Sequence, residues 1–92
     1  LRGIRIAAPY QLIFANILAA PLRQLAPHLI ALLAPDGYLI LSGLLAQQRR
    51  FVMQAYEARG LRITRQLAKG GWITFTLRHK SAIRASGKTG VR

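Results

Sequence analysis

The side chain best placed to do chemistry is the amide of Asn16, which lies inside an otherwise apolar run, Leu12 to Leu18. A run of this length, bounded by turn or helix-start signals, predicts a strand buried on both faces. A buried amide needs hydrogen-bond partners, so an asparagine there is costly unless it is used. Because ligands of open α/β sheets bind just beyond the carboxyl ends of the strands, Asn16 is the first candidate for ligand binding. The alternative is that it only caps the helix that follows.

Two further sites have residue types that suit a ligand. Ser42 and Gly43 end a second apolar stretch, and small residues there allow close approach of a backbone or a ligand. A plain connection from strand to helix explains them equally well. Trp72 begins a later strand and is expected to pack at the end of the sheet, with a wall for a ligand as the alternative.

Composition excludes several other kinds of site. The chain has no cysteine, so it forms neither disulfides nor a thiolate metal site. Its only acids are Asp36 and Glu57, and its two histidines lie apart from them, which leaves no convincing metal site and no catalytic triad. A Gly-x-Gly-x-x-Gly loop is absent, and residues 86–89 lack the context of a phosphate-binding loop. The sequence therefore predicts no metal centre.

The net charge of +12 is the most unusual global feature, with 14 Lys and Arg residues in a chain of 92. It suits polyanionic partners such as RNA or a ribosomal surface. Because the arginines occur in every segment, an arginine-rich coding bias is an equally good explanation, and basic charge alone gives only sequence-independent binding. No membrane span is predicted, since polar residues and prolines interrupt the longest apolar region, residues 12–34.

The first half of the chain predicts two strands around a helix. A basic lead-in over residues 1–9 precedes a strand over residues 11–18. Pro21 begins a helix with one apolar face, and Pro27 is expected to kink this helix or to split it in two. A turn follows at residues 35–37, with Gly37 at positive φ, and residues 38–43 form the second buried strand.

The second half predicts a helix and a β-hairpin. The helix covers residues 46–59, ends at Gly60, and has an inner stripe of Phe51, Val52, Ala55 and Tyr56. Residues 61–67 and 72–78 alternate in polarity on either side of Lys69-Gly70-Gly71, which is typical of a hairpin. The first three strands are expected to be parallel and the last antiparallel, so the fold class is α/β. Residues 79–92 are interpreted as a disordered basic tail.

Several short runs within roughly residues 10–78 resemble those of a known family, and they have the same order and spacing as in that family. The runs are Tyr10 to Ala19, Pro21-Leu22, Leu25-Ala26-Pro27, Pro35-Asp36-Gly37, Leu41 to Leu45, Gln48, Ala55-Tyr56 and Trp72. They are similar to those of the PrmA-type ribosomal protein methyltransferases. The Ala-Asn-Ile-Leu-Ala run and the later Leu-Ser-Gly strand end are the most specific part.

The resemblance implies a fold and an activity. The chain would be the carboxy-terminal part of a class I methyltransferase domain, residues 10–78, with strands in the order 4-5-7-6 of a Rossmann-like sheet and two main helices. The family transfers methyl groups from S-adenosylmethionine to amino groups of a large-subunit ribosomal protein in the bacterial cytoplasm. In-line transfer to a neutral amine needs positioning and hydrogen-bond acceptors more than an acid or a base.

The resemblance also assigns roles to the candidate residues. Asn16 matches the family's Asn at the end of the fourth strand, which contacts the methyl donor and lies beside the amine. The same comparison implies donor contacts from Ile17 and Leu18, and substrate-side positions for Ser42, Gly43 and Trp72. Gln11 departs from the pattern, because the family usually has an acid there.

The glycine-rich donor loop and the acid that holds the donor's ribose belong to the part of the family ahead of the first strand. We therefore expect the 92-residue chain alone to be inactive and to self-associate through an exposed strand edge. Three alternatives remain open: a small basic RNA- or ribosome-binding module, a fragment of a nucleic-acid amine methyltransferase, or a degenerate remnant. The second lacks the Pro-Pro-aromatic run typical of that class.

Overall fold

The chain folds around a four-stranded mixed sheet, and the computed structural model describes the backbone of residues 9–89 and the side chains of residues 9–84. The elements in chain order are β1 (Tyr10–Asn16), α1 (Ala19–Leu32), β2 (Leu33–Leu45), a 3₁₀ turn (Ala46–Gln48), α2 (Arg49–Glu57), β3 (Leu61–Lys69), β4 (Trp72–His79) and α3 (Lys80–Thr89). The basic lead-in lies outside the described residues except for Pro9.

The strand order in the sheet is β1-β2-β4-β3. β1 is parallel to β2, whereas β4 is antiparallel to both β2 and β3. Three strands therefore point the same way, and the last one lies between two of them in the opposite direction. This arrangement confirms the predicted α/β class and the predicted order 4-5-7-6.

The hydrophobic core lies between one face of the sheet and the helices α1 and α2. Alternate residues of β4, namely Ile73, Phe75 and Leu77, are buried there, as the period-two pattern predicts. The two helices are joined by a buried hydrogen bond in which the Tyr56 hydroxyl donates to the Leu22 carbonyl oxygen over 2.6 Å. Burial raises the pKa of Tyr56 well above its usual range.

Pro27 neither splits the first helix in two nor ends it, so the expectation of two helices is wrong, whereas the alternative, a kink at Pro27, stays a prediction. α1 is one helix from Ala19 to Leu32 with Pro27 inside it. Proline removes only one backbone donor, and its own side chain faces solvent. Leu22, Ala26 and Leu29 are buried on the core side of α1, before and after the proline, and this packing stabilises both halves of the helix.

The predicted turn at residues 35–37 is also wrong, because these residues lie inside β2. Gly37 does not have a positive φ. A Cβ at this position would lie 2.9 Å from the Tyr10 carbonyl oxygen and 3.0 Å from that of Gln11. The register between the strands shifts here, since Tyr10 pairs with Leu33 whereas Leu12 pairs with Tyr38. The glycine is needed because the irregular segment of β2 approaches β1 closely.

Several other predicted boundaries differ from the structure by a few residues. β1 ends at Asn16, two residues before the predicted end, and β2 continues past Gly43 to Leu45. The second helix begins as a 3₁₀ turn, and its α-helical part is Arg49–Glu57. Phe51 was placed on its inner stripe but is 46% exposed, with the Arg23 guanidinium 4.7 Å from the ring centroid.

The carboxyl end of the described chain is helical rather than disordered. His79 ends β4, and α3 follows from Lys80 to Thr89. The Lys80 backbone N–H donates to the Gly60 carbonyl oxygen over 2.9 Å, which ties the start of this helix to the loop before β3. The prediction of a disordered tail is wrong for these residues, and residues 90–92 lie outside the described part.

Candidate functional site

The candidate site lies at the edge of the sheet where β1 and β2 reach their carboxyl ends. Asn16 is the last residue of β1, and it pairs in register with Ser42 of β2. Its side chain is exposed, not buried, because β1 is the outer strand of this sheet. Within the described residues, the Asn16 amide has no hydrogen-bond partner, so both its carbonyl oxygen and its NH₂ group are available to a ligand.

Gly43 lies directly against this amide. Its φ is +81°, a left-handed conformation that favours glycine. A Cβ on Gly43 would collide with the Oδ1 atom of Asn16. The β2–β4 register shifts between Leu41 and Leu44, so Gly43 lies in an irregular part of the pairing between these strands. The two strand ends that the sequence singled out are therefore brought into contact.

A hydroxyl pair lies beside the amide. The Oγ atom of Ser42 is 3.1 Å from the Oγ1 atom of Thr74 on β4, and both side chains are partly buried. Thr74 was not among the predicted site residues. It could have been found only by aligning the hairpin strand with the end of β2, a register that the irregular pairing makes hard to predict.

Trp72 lies at the same edge, because β4 is antiparallel and begins where β2 ends. It pairs with Leu45 of β2 and with Lys69 of β3, and its side chain is 54% exposed. Trp72 therefore lies at the sheet end as expected, but only about half of its side chain is packed there. β2 separates it from Asn16 in the sheet, so it flanks the site rather than touching the amide.

Ile17 and Leu18 link the end of β1 to α1, and both side chains are exposed. The Leu18 carbonyl oxygen accepts a hydrogen bond from the Leu22 backbone N–H over 3.0 Å, so it starts the helix. Apolar side chains next to a free amide form a surface that can pack against an uncharged part of a ligand. Their predicted contact with a methyl donor stays a prediction.

The chemistry available at this edge is that of hydrogen-bond acceptors and packing surfaces. Among the described residues, no group of three His, Cys, Asp or Glu side chains could hold a metal ion. The amide oxygen of Asn16 can accept a hydrogen from an amine and so orient the nitrogen lone pair. Such a site accelerates a reaction by positioning the reactants.

Comparison with known proteins identifies the family of the chain. The sequence profile of the family described as "Ribosomal protein L11 methyltransferase (PrmA)" matches residues 2–80. The chain belongs to this family. The L11 methyltransferase of Rhizobium meliloti (strain 1021) is 52% identical over 69 residues, which are 75% of this chain and 24% of the relative. That of Agrobacterium fabrum is 49% identical over 76 residues, which are 83% of this chain and 26% of the relative.

A solved PrmA-type structure has the same fold. The ribosomal protein L11 methylase of Lactobacillus delbrueckii subsp. bulgaricus superposes with a TM-score of 0.76 at 33% identity, over 82% of this chain and 39% of that chain. The resemblance read from the sequence is thus confirmed. The chain spans about a quarter of the length of the curated relatives that it matches. No helix among residues 9–89 has the length and apolarity needed to cross a membrane.

Proposed function

We propose that this chain forms the carboxy-terminal part of an S-adenosylmethionine-dependent methyltransferase that modifies amino groups of a ribosomal protein. The single observation that carries the proposal is the exposed amide of Asn16, which has no hydrogen-bond partner among the described residues and lies against Gly43 at the carboxyl edge of a PrmA-type sheet. The names of the relatives support a ribosomal protein as substrate rather than a nucleic acid. The proposal includes the cytoplasm as the location, because ribosomal proteins are made there.

The residues present fit one side of a methyl donor. Asn16 offers an exposed amide, and the exposed side chains of Ile17 and Leu18 offer apolar contact beside it. When bound, S-adenosylmethionine supplies an electrophilic methyl group. The chain's own part is to bind, to orient and to exclude water at this edge, with no acid or base required.

The role of Asn16 toward the acceptor follows from its hydrogen-bonding groups. Its Oδ1 atom accepts an N–H of a neutral amine, which points the nitrogen lone pair toward the methyl carbon. With a donor bound, the Asn16 amide would hold the neutral amine that accepts the methyl group, and the surplus proton on that nitrogen would be lost to water. Ser42 and Thr74 hold the neighbouring backbone through their hydroxyl pair, and Trp72 provides an exposed wall on the substrate side.

A segment exchange tests this function. Residues 10–78 replace the matching segment of the Rhizobium meliloti relative, and methyl transfer to ribosomal protein L11 is measured with a labelled donor. We expect the exchanged enzyme to be active and Asn16→Ala to lower kcat by roughly 100-fold, because the amine loses its positioning contact. Gln24→Ala, an exposed change on α1, is the matched control and should leave kcat unchanged. An active Asn16→Ala variant would contradict the assigned role.

The 92-residue chain by itself is proposed to be inactive. It spans about a quarter of the length of its relatives, and the resemblance assigns the donor's glycine-rich loop to the remainder. Measurable turnover of L11 by the purified chain would overturn this point.

Self-association through β1 is part of the same proposal. β1 is an outer strand of the sheet, with Leu12 59% and Phe14 61% exposed on it. An unpaired apolar edge is a template for pairing with another copy. Sedimentation velocity is expected to show species larger than a monomer, and Leu12→Lys, which places a charge on the exposed edge strand, should reduce them. A monomer at all concentrations would refute this.

A further inference from the structure

The pairing of β2 with β4 is irregular at one point near the carboxyl end of β2. Its register shifts between Leu41 and Leu44, so two residues of β2 lie opposite one residue of β4, Thr74. These two residues are Ser42 and Gly43. In a bulge of this kind the regular ladder of backbone hydrogen bonds is interrupted, and the extra residue is left unpaired. The backbone of β2 therefore depends on other contacts for a fixed position here.

A pair of hydroxyl groups crosses this irregular point. The Ser42 Oγ atom lies 3.1 Å from the Thr74 Oγ1 atom, within hydrogen-bond distance. Both groups are partly buried, which limits the competition of water for this bond. Thr76, two residues further along β4, has no side-chain hydrogen bond within residues 9–84. The hydroxyl of Thr74 thus has a partner that the hydroxyl of Thr76 lacks in the described part of the chain.

The irregular point lies directly against the amide of Asn16. Ser42 pairs in register with Asn16, and a Cβ on Gly43 would collide with the Asn16 Oδ1 atom. The α-carbon of Gly43 therefore forms one wall of the space in which the amide can rotate. A displacement of Gly43 would change the orientation of Oδ1, the atom that holds the acceptor amine in the proposed function.

We propose that Thr74 is a positioning residue for methyl transfer. Its hydroxyl holds Ser42, Ser42 fixes the adjoining backbone of Gly43, and this backbone limits the orientations of the Asn16 amide. Thr74 acts within the fold, so the role requires neither a free surface nor a contact with the substrate. The inference rests on the proposed function, because it concerns the amine that Asn16 holds. A misplacement of about 1 Å at a reacting group can cost roughly 100-fold in rate.

Steady-state kinetics of the segment-exchanged Rhizobium meliloti enzyme test the proposal. Thr74→Val keeps the shape of the side chain and removes its hydroxyl, and should lower kcat roughly tenfold, because Asn16 remains but is less well oriented. KM for L11 should change by less than about twofold, since ground-state binding is retained. Thr74→Ser keeps the hydroxyl and should restore kcat. Thr76→Val removes a hydroxyl that has no partner among the described residues and should leave kcat unchanged.

A double variant separates positioning from a general loss of structure. If Thr74 acts through Asn16, loss of its hydroxyl has no further effect once the amide is absent. Asn16→Ala combined with Thr74→Val should therefore have the same kcat as Asn16→Ala alone. A merely structural role of Thr74 would lower kcat by the same factor in both backgrounds.

A second readout, in the 92-residue chain, does not depend on activity. Backbone ¹⁵N relaxation should give Gly43 an order parameter of about 0.85 in the wild-type chain and below about 0.6 in Thr74→Val. Thr74→Ser and Thr76→Val should keep the wild-type value. The side-chain amide resonance of Asn16 should shift in Thr74→Val and not in Thr76→Val, because only the first change releases Gly43.

Three results would overturn the inference and leave the proposed function intact. They are a wild-type kcat in Thr74→Val, an equal loss from Thr74→Val with and without the Asn16 amide, and an unchanged order parameter of Gly43 in Thr74→Val. An exchanged enzyme that is inactive with all residues unaltered would instead overturn the proposed function, and this inference with it.

Discussion

Replacing Gly37 by alanine should weaken the junction between β1 and β2 without straining the backbone. Gly37 does not have a positive φ, so alanine adopts its conformation freely. The new Cβ would meet the Leu33 Cδ1 atom at 2.8 Å and the Tyr10 and Gln11 carbonyl oxygens at 2.9 and 3.0 Å. Ordinary contacts of this kind are 3.4–4 Å, and two of the three neighbours are backbone atoms that cannot rotate away.

The cost follows from those distances. Overpacking typically costs about 1–3 kcal/mol, and a partial offset of about 0.5 kcal/mol comes from the reduced freedom of the unfolded chain. We therefore expect Gly37→Ala to lower the free energy of unfolding by about 2 kcal/mol. Gly71→Ala is the matched control, because Gly71 has φ +84° and nothing within 4 Å of its Cβ position. Its cost is backbone strain alone, about 1 kcal/mol.

Urea unfolding, monitored by circular dichroism, measures the change in the free energy of unfolding for both variants. Hydrogen exchange shows which strands each variant destabilises. Gly37→Ala should speed exchange of the amides that join β1 to β2, whereas Gly71→Ala should speed only the hairpin between β3 and β4. The reasoning is refuted if Gly37→Ala costs no more than Gly71→Ala, or if the β1–β2 amides exchange at the wild-type rate.

Two further predictions concern the helices. Tyr56→Phe removes the buried hydrogen bond to Leu22 and should cost about 1 kcal/mol in urea unfolding. Because burial raises the pKa of Tyr56, its contribution to the free energy of unfolding is complete below its unfolded pKa near 10 and is lost as the pH rises above that value. Tyr56→Phe should therefore reduce the loss of stability at alkaline pH. An equal loss in the variant would show that Tyr56 is not its source. Pro27→Ala restores a backbone donor in the middle of α1 and should raise the free energy of unfolding by about 1–3 kcal/mol; a loss of stability would mean that the proline ring has a packing role.

The sequence predicted those parts of the fold that depend on local periodicity. The alternation of Ile73, Phe75 and Leu77 predicted the buried face of β4. Gly70 and Gly71 predicted the hairpin turn, and both have a positive φ in the structure. The expected split at Pro27 and the expected inner position of Phe51 were wrong because tertiary contacts decide both. Core packing holds α1 together, and Arg23 covers the Phe51 ring on the surface.

The residues of the candidate site could be named from the sequence, but their geometry could not. Asn16, Ser42 and Gly43 could be identified from their positions after apolar strands. Their mutual contact depends on two irregularities of register, one around Gly37 and one around Gly43, which no periodic pattern encodes. Thr74 was missed for the same reason, since its pairing with Ser42 lies across the second irregularity.

The place of β4 in the sheet fixes the order in which the chain can fold. β4 joins β2 to β3, yet it is the last of these four strands to be synthesised. Until Trp72–His79 has left the ribosome, β1 and β2 can pair, but β3 has no partner strand and the buried side chains of β4 are missing from the core. These four strands therefore come together in one late step, through contacts distant in sequence, which are slow to form. A nascent chain that stops before residue 72 leaves both β2 and β3 with a bare edge, the condition in which strands aggregate.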